Sequence, residues 1–384
     1  MTPHPKSGPY PRAIGAAVAV CGALVLTGCG AEHKSSTPSD TAPATPLAST
    51  TIAAGGIACG KAANLPASGS TAQQYAMRYW IKNFTRACPG TRITYNGTGS
   101  GAGQTDFLQG RTAFAGSDSA LSPDQIAQSK SVCADGGHAV DLPMLGGPIA
   151  VGYNVRGVSK LVLDAPTLAK IFDSQITMWN DPAIAKLNPG TTLPKMRIRP
   201  LHRADASGTT DNFTSYLSAT ASSAWPYKHG KQWVAKGGRS ATGSSGLATK
   251  VKQTAGAIGY FELPYAIDNA IPTTSIATGA PSPVDPNIIN ASKAIAGAKM
   301  SGTEGDITLT LDYTTKAANA YPIDMVTYEV VCNKGNKPAT WPATKAFLAY
   351  IAGQKGQQDL SFEGYATLPA DVIAKVRASI NNMP

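Results

Sequence analysis

Charge is scarce in this chain: only 15% of its residues are Asp, Glu, Lys or Arg, and 23 acids face 33 Lys and Arg. The basic surplus is scattered, with no dense Lys/Arg run and no basic stripe interleaved with aromatics. The formal charge of +10 therefore gives a diffuse field that favours anions in general and lacks the pattern of a nucleic-acid surface. Histidine is limited to five dispersed residues, and no CxxC pair or Cys/His cluster occurs, which removes the usual donor sets of a zinc centre. No metal and no cofactor is expected. The apolar run near the amino end is shorter than the ~20 residues of a comfortable membrane span, no Gly-Lys-Ser/Thr completes a P-loop, and no internal repeat is visible.

What is present points to an exported two-domain protein. At 384 residues the chain exceeds one small domain, and the size prior of ~100–200 residues per domain suggests two. Hydrophobic residues reach 42%, with 39 Gly and 28 Pro, a globular but loop-rich composition. Lys6 and Arg12 form a positive start, and the uncharged run Ala13 to Leu26 has the length of a signal-peptide core. It ends in Leu26-Thr27-Gly28-Cys29, which resembles the lipobox of bacterial lipoproteins. Residues 1–28 thus read as a lipoprotein signal peptide, whose loss removes two positive charges and no acid. Cys29 is then the acylated first residue, palmitate-type lipid holding the protein at the outer face of the plasma membrane of a bacterial cell envelope. Residues 29–58, mostly Ser, Thr, Pro and Ala after the cysteine, read as a disordered tether.

Of the six cysteines, Cys21 leaves with the signal and Cys29 carries lipid. Cys59, Cys88, Cys133 and Cys332 remain, an even number in an oxidising compartment. Periodicity predicts an α/β pattern. Met77, Trp80, Ile81 and Phe84 mark an amphipathic helix over 73–87; strands are expected at 92–95, 113–116, 148–155, 197–201, 256–261 and 324–331, and helices at 166–173, 181–187, 207–218, 341–353 and 370–381. Cys59 falls just before the first strand and Cys88 just after the helix running back along it, so both lie at one end of a βα unit. That predicts Cys59–Cys88 and leaves Cys133–Cys332.

Three polar, glycine-bearing segments sit where a strand should turn into a helix, the place where free backbone amides and the helix dipole favour an anion. They are Ser68 to Ala72, Asn96 to Gly103, and His202 to Thr210. The second, alone, loosely fits a dinucleotide fingerprint through Gly97, Gly99 and Ala102 with Asp118 about twenty residues on. Export and the otherwise unused third segment argue against it. A plain glycine-rich turn is the bland reading of any one segment; the recurrence is the signal.

Taken together with Phe114 to Ser122, Met178-Trp179-Asn180-Asp181-Pro182, Leu187 to Gly190 and Gly256-Ala257-Ile258-Gly259-Tyr260, these segments resemble the phosphate-binding lipoproteins of ABC-type phosphate importers, the PstS family of substrate-binding proteins. The likeness runs from about Lys61 to the carboxyl end. It implies a two-lobed Venus-flytrap α/β fold of the type II periplasmic-binding-protein kind, each lobe a mixed sheet flanked by helices, joined by a two-strand hinge. It implies high-affinity extracytoplasmic binding of inorganic phosphate by a monomer, delivery to the transmembrane subunits of a permease, and no enzymatic activity. By the same resemblance Thr71 and Ser100 are hydroxyl donors, Ala72 and Gly208 amide donors, and Ser207 and Thr209 donors at the start of a helix. Arg203 grips phosphate oxygens, Asp205 orients that arginine, and Asp118 accepts a hydrogen bond from a protonated phosphate oxygen.

The chemistry of each role is coherent. A dehydrated oxyanion needs its oxygens satisfied, because an unpaired buried ionic group costs several kcal/mol, and a guanidinium can serve two oxygens where an ammonium cannot. Asp118 accepts from a phosphate O–H and repels sulfate, which has no proton at neutral pH. As alternatives, Asp118 could cap the helix at Ser122-Pro123, and Arg203 with Asp205 could be a surface ion pair of little consequence. Trp179 and Asn180 read as packing and turn residues. Three departures stand out: Ala206 where glycine is common, which demands negative φ or strain; small Ala72 in the first loop; and Gly243-Ser-Ser-Gly-Leu where relatives carry an Asn-acid pair.

The expected lobes are 60–145 plus 270–384 and 146–269. Rival functions are a carrier of another tetrahedral oxyanion, sulfate above all, an exported phosphatase using a loop serine, and a sensor or adhesin that kept the fold. The phosphatase lacks a histidine base near Ser207 other than His202.

Overall fold

A computed structural model describes residues 57–303, 305–358 and 360–384. The expected signal peptide, the expected lipidation site Cys29 and the expected tether up to residue 56 lie outside the described residues. Ile57, within the expected tether of 29–58, packs against the core.

The amino-terminal elements alternate. Strand β1 (Asn64–Gly69) leads into helix α1 (Gln74–Ala87), which buries Ala76, Met77, Trp80 and Phe84 along one stripe, as the spacing predicts. Next come β2 (Arg92–Gly97), α2 (Ser100–Leu108), β3 (Phe114–Ser117) and α3 (Pro123–Ser129). Ser122, not Asp118, caps α3: its hydroxyl accepts from the Gln125 amide while the Gln125 side chain bonds back.

Strand β4 (Ala139–Tyr153) is 15 residues long and buried throughout, roughly twice the span expected at 148–155. Its first half, Ala-Val-Asp-Leu-Pro-Met-Leu-Gly-Gly, hides its strand character behind Asp, Pro and two glycines. Then follow β5 (Val162–Asp164), α4 (Ala165–Phe172), α5 (Pro182–Leu187), β6 (Arg199–Arg203), α6 (Gly208–Thr220), β7 (Arg239–Ala241), α7 (Gly243–Gln253), β8 (Ala257–Glu262) and α8 (Leu263–Asn269). Asp164 and Asp181 cap α4 and α5, and a proline stands in the first turn of each. The chain closes with β9 (Ser275–Ala277), α9 (Ile288–Ile295), the pair β10 (Lys299–Ser301) and β11 (Thr308–Thr310), β12 (Asp324–Cys332), α10 (Trp341–Ala352), α11 (Gln354–Gln358) and α12 (Ala370–Asn382). Short strands such as β5 and β9 carry too few residues for a period to show.

The main sheet has eight strands in the order β2-β1-β3-β12-β4-β8-β6-β7. β1, β2 and β3 are mutually parallel, as are β8, β6 and β7. β12 runs antiparallel to both β3 and β4, and β4 antiparallel to β8. The two parallel triplets therefore point head to head. β4 pairs with β12 up to Pro148 and with β8 from Ile149 onward, so one strand passes from one group to the other. This sets the carboxyl ends of β1, β3, β6 and β8 against a common centre, and carboxyl ends of parallel strands are where open α/β sheets bind ligands.

Two disulfides join Cys59 to Cys88 and Cys133 to Cys332, with Cα separations of 5.3 and 5.5 Å. Trp179 is fully buried and its indole donates to the Gly256 carbonyl, a packing role.

Candidate functional site

Four helices begin at the centre where the strands converge: α1, α2, α6 and α7. Their amino-terminal loops touch. The Ser244 amide at the start of α7 donates to the Thr71 hydroxyl at 3.1 Å, and the two hydroxyls lie 2.9 Å apart. The Gly208 amide at the start of α6 donates to the Ser100 hydroxyl at 3.2 Å. Helix-start amides, hydroxyls and the positive ends of the dipoles are thereby gathered at one place.

Two glycines permit this approach. Gly99 has φ of +93°, and a Cβ there would meet an Asp205 carboxylate oxygen at 2.5 Å. A Cβ on Gly208 would lie 2.6 Å from that of Asp118. Ala206 is not among the residues with positive φ; its side chain packs where Gly101 leaves room, so the missing glycine costs no backbone strain.

Arg203, at the end of β6, is 2% exposed and is no surface residue. Its Nε donates to Asp205 at 2.9 Å and its Nη2 to the other Asp205 oxygen. Nη1 reaches Ser244 Oγ at 3.1 Å and Thr209 Oγ1 at 3.4 Å. Burial alone would depress the guanidinium, but the bonds and charge of Asp205 outweigh it and hold its pKa above the ordinary value. Burial would likewise raise Asp205, yet its bonds to Arg203 hold it below the usual carboxylate range. With one edge of the guanidinium held by Asp205, the Nη1/Nη2 end is the part directed to the centre.

Asp118 follows β3 and is equally buried. Ser70 and Thr327 donate to one of its oxygens at 2.6 and 2.9 Å, and Ser100 to the other at 3.1 Å. Burial pushes its carboxyl up to about 6, and the negative charge of nearby Glu262 adds to this against the three hydroxyls. Glu262, at the end of β8, accepts from Thr209 at 2.6 Å, while its other oxygen is buried without a partner.

Of the residues singled out in the sequence, Thr71, Ser100, Asp118, Arg203, Asp205, Gly208 and Thr209 come together here. Two are engaged differently. The Ala72 amide donates to the Ser70 hydroxyl at 2.9 Å, and Ser207 caps α6 through the Thr210 amide while its own amide bonds to the Lys231 carbonyl. Four neighbours escaped notice: Ser70, Ser244, Glu262 and Thr327. Ser70 and Ser244 lay inside segments already marked, and Glu262 stands two residues past Tyr260. Thr327 is a polar residue within the wholly buried β12, which is itself a cue. Among the described residues no group of three or more His, Cys, Asp or Glu is placed to hold a metal ion.

Comparison with known proteins agrees with this architecture. Residues 37–355 match the PBP superfamily domain. The phosphate-binding protein PstS 2 of Mycobacterium tuberculosis is 40% identical over 372 residues, covering 96% of this chain and 98% of its own. PstS 3 of the same organism is 41% identical with the same coverage. A high-affinity periplasmic phosphate-binding protein solved with phosphate bound superposes with a TM-score of 0.67 at 21% identity, over 82% of this chain and 93% of that one. The fold is thus the two-lobed α/β architecture of periplasmic binding proteins, and the chain belongs to the PstS family of phosphate-binding proteins.

Proposed function

We propose that this chain captures one inorganic phosphate outside the cell and delivers it to an ABC-type permease. The observation that carries the reading is the meeting of four helix amino termini with buried Arg203 and the buried carboxylate of Asp118, drawn from both groups of parallel strands. Thr71, Ser100, Ser244, Thr209, Ser207, the Gly208 and Ala72 amides and the Nη1/Nη2 end of Arg203 supply donors to the phosphate oxygens, the hydroxyls and amides exchanging their present partners for the ligand. Asp118 accepts a hydrogen bond from the protonated phosphate oxygen.

Lobe I comprises about 60–145 plus 270–384 and lobe II about 146–269, with the hinge near the switch of β4 between Pro148 and Ile149. Phosphate bridges the lobes and favours the closed form, which the permease recognises. The chain acts as a monomeric binding protein and not as an enzyme. An acylated Cys29 holds it on the outer face of the membrane; among the described residues no helix is long and apolar enough to cross one.

Calorimetric titration with phosphate, repeated in excess sulfate, tests the reading. One equivalent of phosphate should bind with sulfate nearly without effect, and Asp118→Asn should lose that discrimination. Equal competition by sulfate in the unaltered chain would favour a general oxyanion carrier, and turnover of a phosphomonoester would favour a hydrolase.

A further inference from the structure

A second basic recess lies away from the cleft. A cavity of about 530 Å³ opens near the amino end of β6, lined by Arg197, Arg199, Arg239 and Lys250, with hydroxyls from Ser174 and Thr177. No Asp or Glu lines it. Among the described residues the three arginines have no carboxylate within ion-pair distance, and Lys250 gives one N–H to the Ser240 carbonyl at 2.8 Å. Asp173, next in sequence to Ser174, is held instead by the Tyr227 hydroxyl, the Gln175 side chain and the Lys236 amide.

Four like charges around one concavity repel one another, and the repulsion is relieved by a ligand that brings several negative charges at once. A single monovalent oxyanion is matched by one guanidinium. Three arginines and a lysine match a chain of phosphoryl groups, with each planar fork serving one of them. The volume falls in the ~300–1,000 Å³ range of small-molecule sites, and a recess suits a soluble ligand that can enter it better than a planar bilayer. Arg199 and Arg203 stand at opposite ends of β6, so the backbone of Arg199 in the recess is ~13 Å from that of Arg203 in the cleft at ~3.3 Å per residue.

We infer that this recess binds a soluble oligophosphate, a linear anion of two or more phosphoryl groups, independently of the phosphate site. The inference concerns a separate site and does not need the cleft to be occupied by phosphate.

Titrating tripolyphosphate into chain already loaded with one equivalent of phosphate tests it. One further equivalent should bind, about tenfold more weakly in 0.5 M salt, since exposed charges are screened. The double variant Arg197→Ala/Arg239→Ala should weaken it by about tenfold or more while phosphate binding in the cleft is unchanged, with circular dichroism confirming the fold. Absence of binding at low salt, or equal binding by the variant, overturns the inference. So does a chain that ignores tripolyphosphate but binds phosphatidylglycerol vesicles through the same arginines, which would make the recess a lipid contact. A double variant that also lost phosphate in the cleft would deny the two sites their independence.

Discussion

Asp118 concentrates the unusual physics of the centre in one side chain. Burial holds its folded pKa at about 6, above the ordinary carboxylate value of 3.8, so the folded chain holds its proton more tightly than the unfolded one. Between about pH 4 and pH 6 the contribution to stability falls as pH rises, and above that the full penalty remains. At ~1.4 kcal/mol per pKa unit this is on the order of 3 kcal/mol. Asp118→Asn should therefore stabilise the phosphate-free chain at pH 7.5 and flatten that part of its stability–pH curve, as denaturant unfolding across pH would measure. A variant less stable at pH 7.5 would mean that the three hydroxyl bonds to the carboxylate outweigh its desolvation. Arg203→Lys should act differently. An ammonium cannot hold both Asp205 oxygens while facing the centre, and a buried pair broken on one side costs ~3–5 kcal/mol. Phosphate affinity should drop by about a hundredfold or more in calorimetry, whereas an unchanged affinity would remove Arg203 from the site.

At the scale of elements, the two disulfides differ in what they restrain. Cys59–Cys88 closes a separation of 29 residues and Cys133–Cys332 one of 199, for which loop-closure entropy gives roughly 3.5 and 5 kcal/mol. Replacing each pair by alanine should lower the unfolding midpoint, more for the second pair. The reverse order would show that native packing, and not unfolded-state entropy, sets their worth. A smaller loss, ~1 kcal/mol, is expected for Asp164→Ala, which removes the 2.9 Å cap on the Thr167 amide.

These elements also show what the sequence made legible. Helix α1 was visible because Met77, Trp80 and Phe84 recur with the helical period, and the glycine segments because few other residues allow loops to approach so closely. The first half of β4 was hidden by Pro143, Gly146 and Gly147, which weaken a local strand signal that only long-range pairing with β12 restores. Ser244 and Glu262 were obscure for a related reason. Nothing local in Gly243-Ser-Ser-Gly or Phe261-Glu262 marks an anion site; their roles come from α7 beginning and β8 ending where Thr71 and Arg203 also lie.

For the whole molecule, the proposed capture mechanism requires that the halves move about the backbone they share. Solution scattering of phosphate-free and phosphate-loaded protein should show a smaller radius of gyration on loading; superimposable profiles would mean that the cleft is shut without its ligand. The residues expected to grip the anion are split by β4 between the halves, so a rigid, always-closed molecule would have to admit phosphate by local opening of α2 or α6 instead.

The strand order carries one more implication, for biosynthesis. β12 sits between β3 and β4, although some 170 residues of chain separate it from β4 in the order of synthesis (by the ranges in). Until those late residues leave the ribosome and cross the membrane, β3 and β4 flank an empty slot with unpaired backbone on both sides, the kind of edge that recruits wrong partners. Maturation must therefore wait for translocation to be nearly complete, and a chain truncated before residue 324 should aggregate instead of yielding a smaller working receptor.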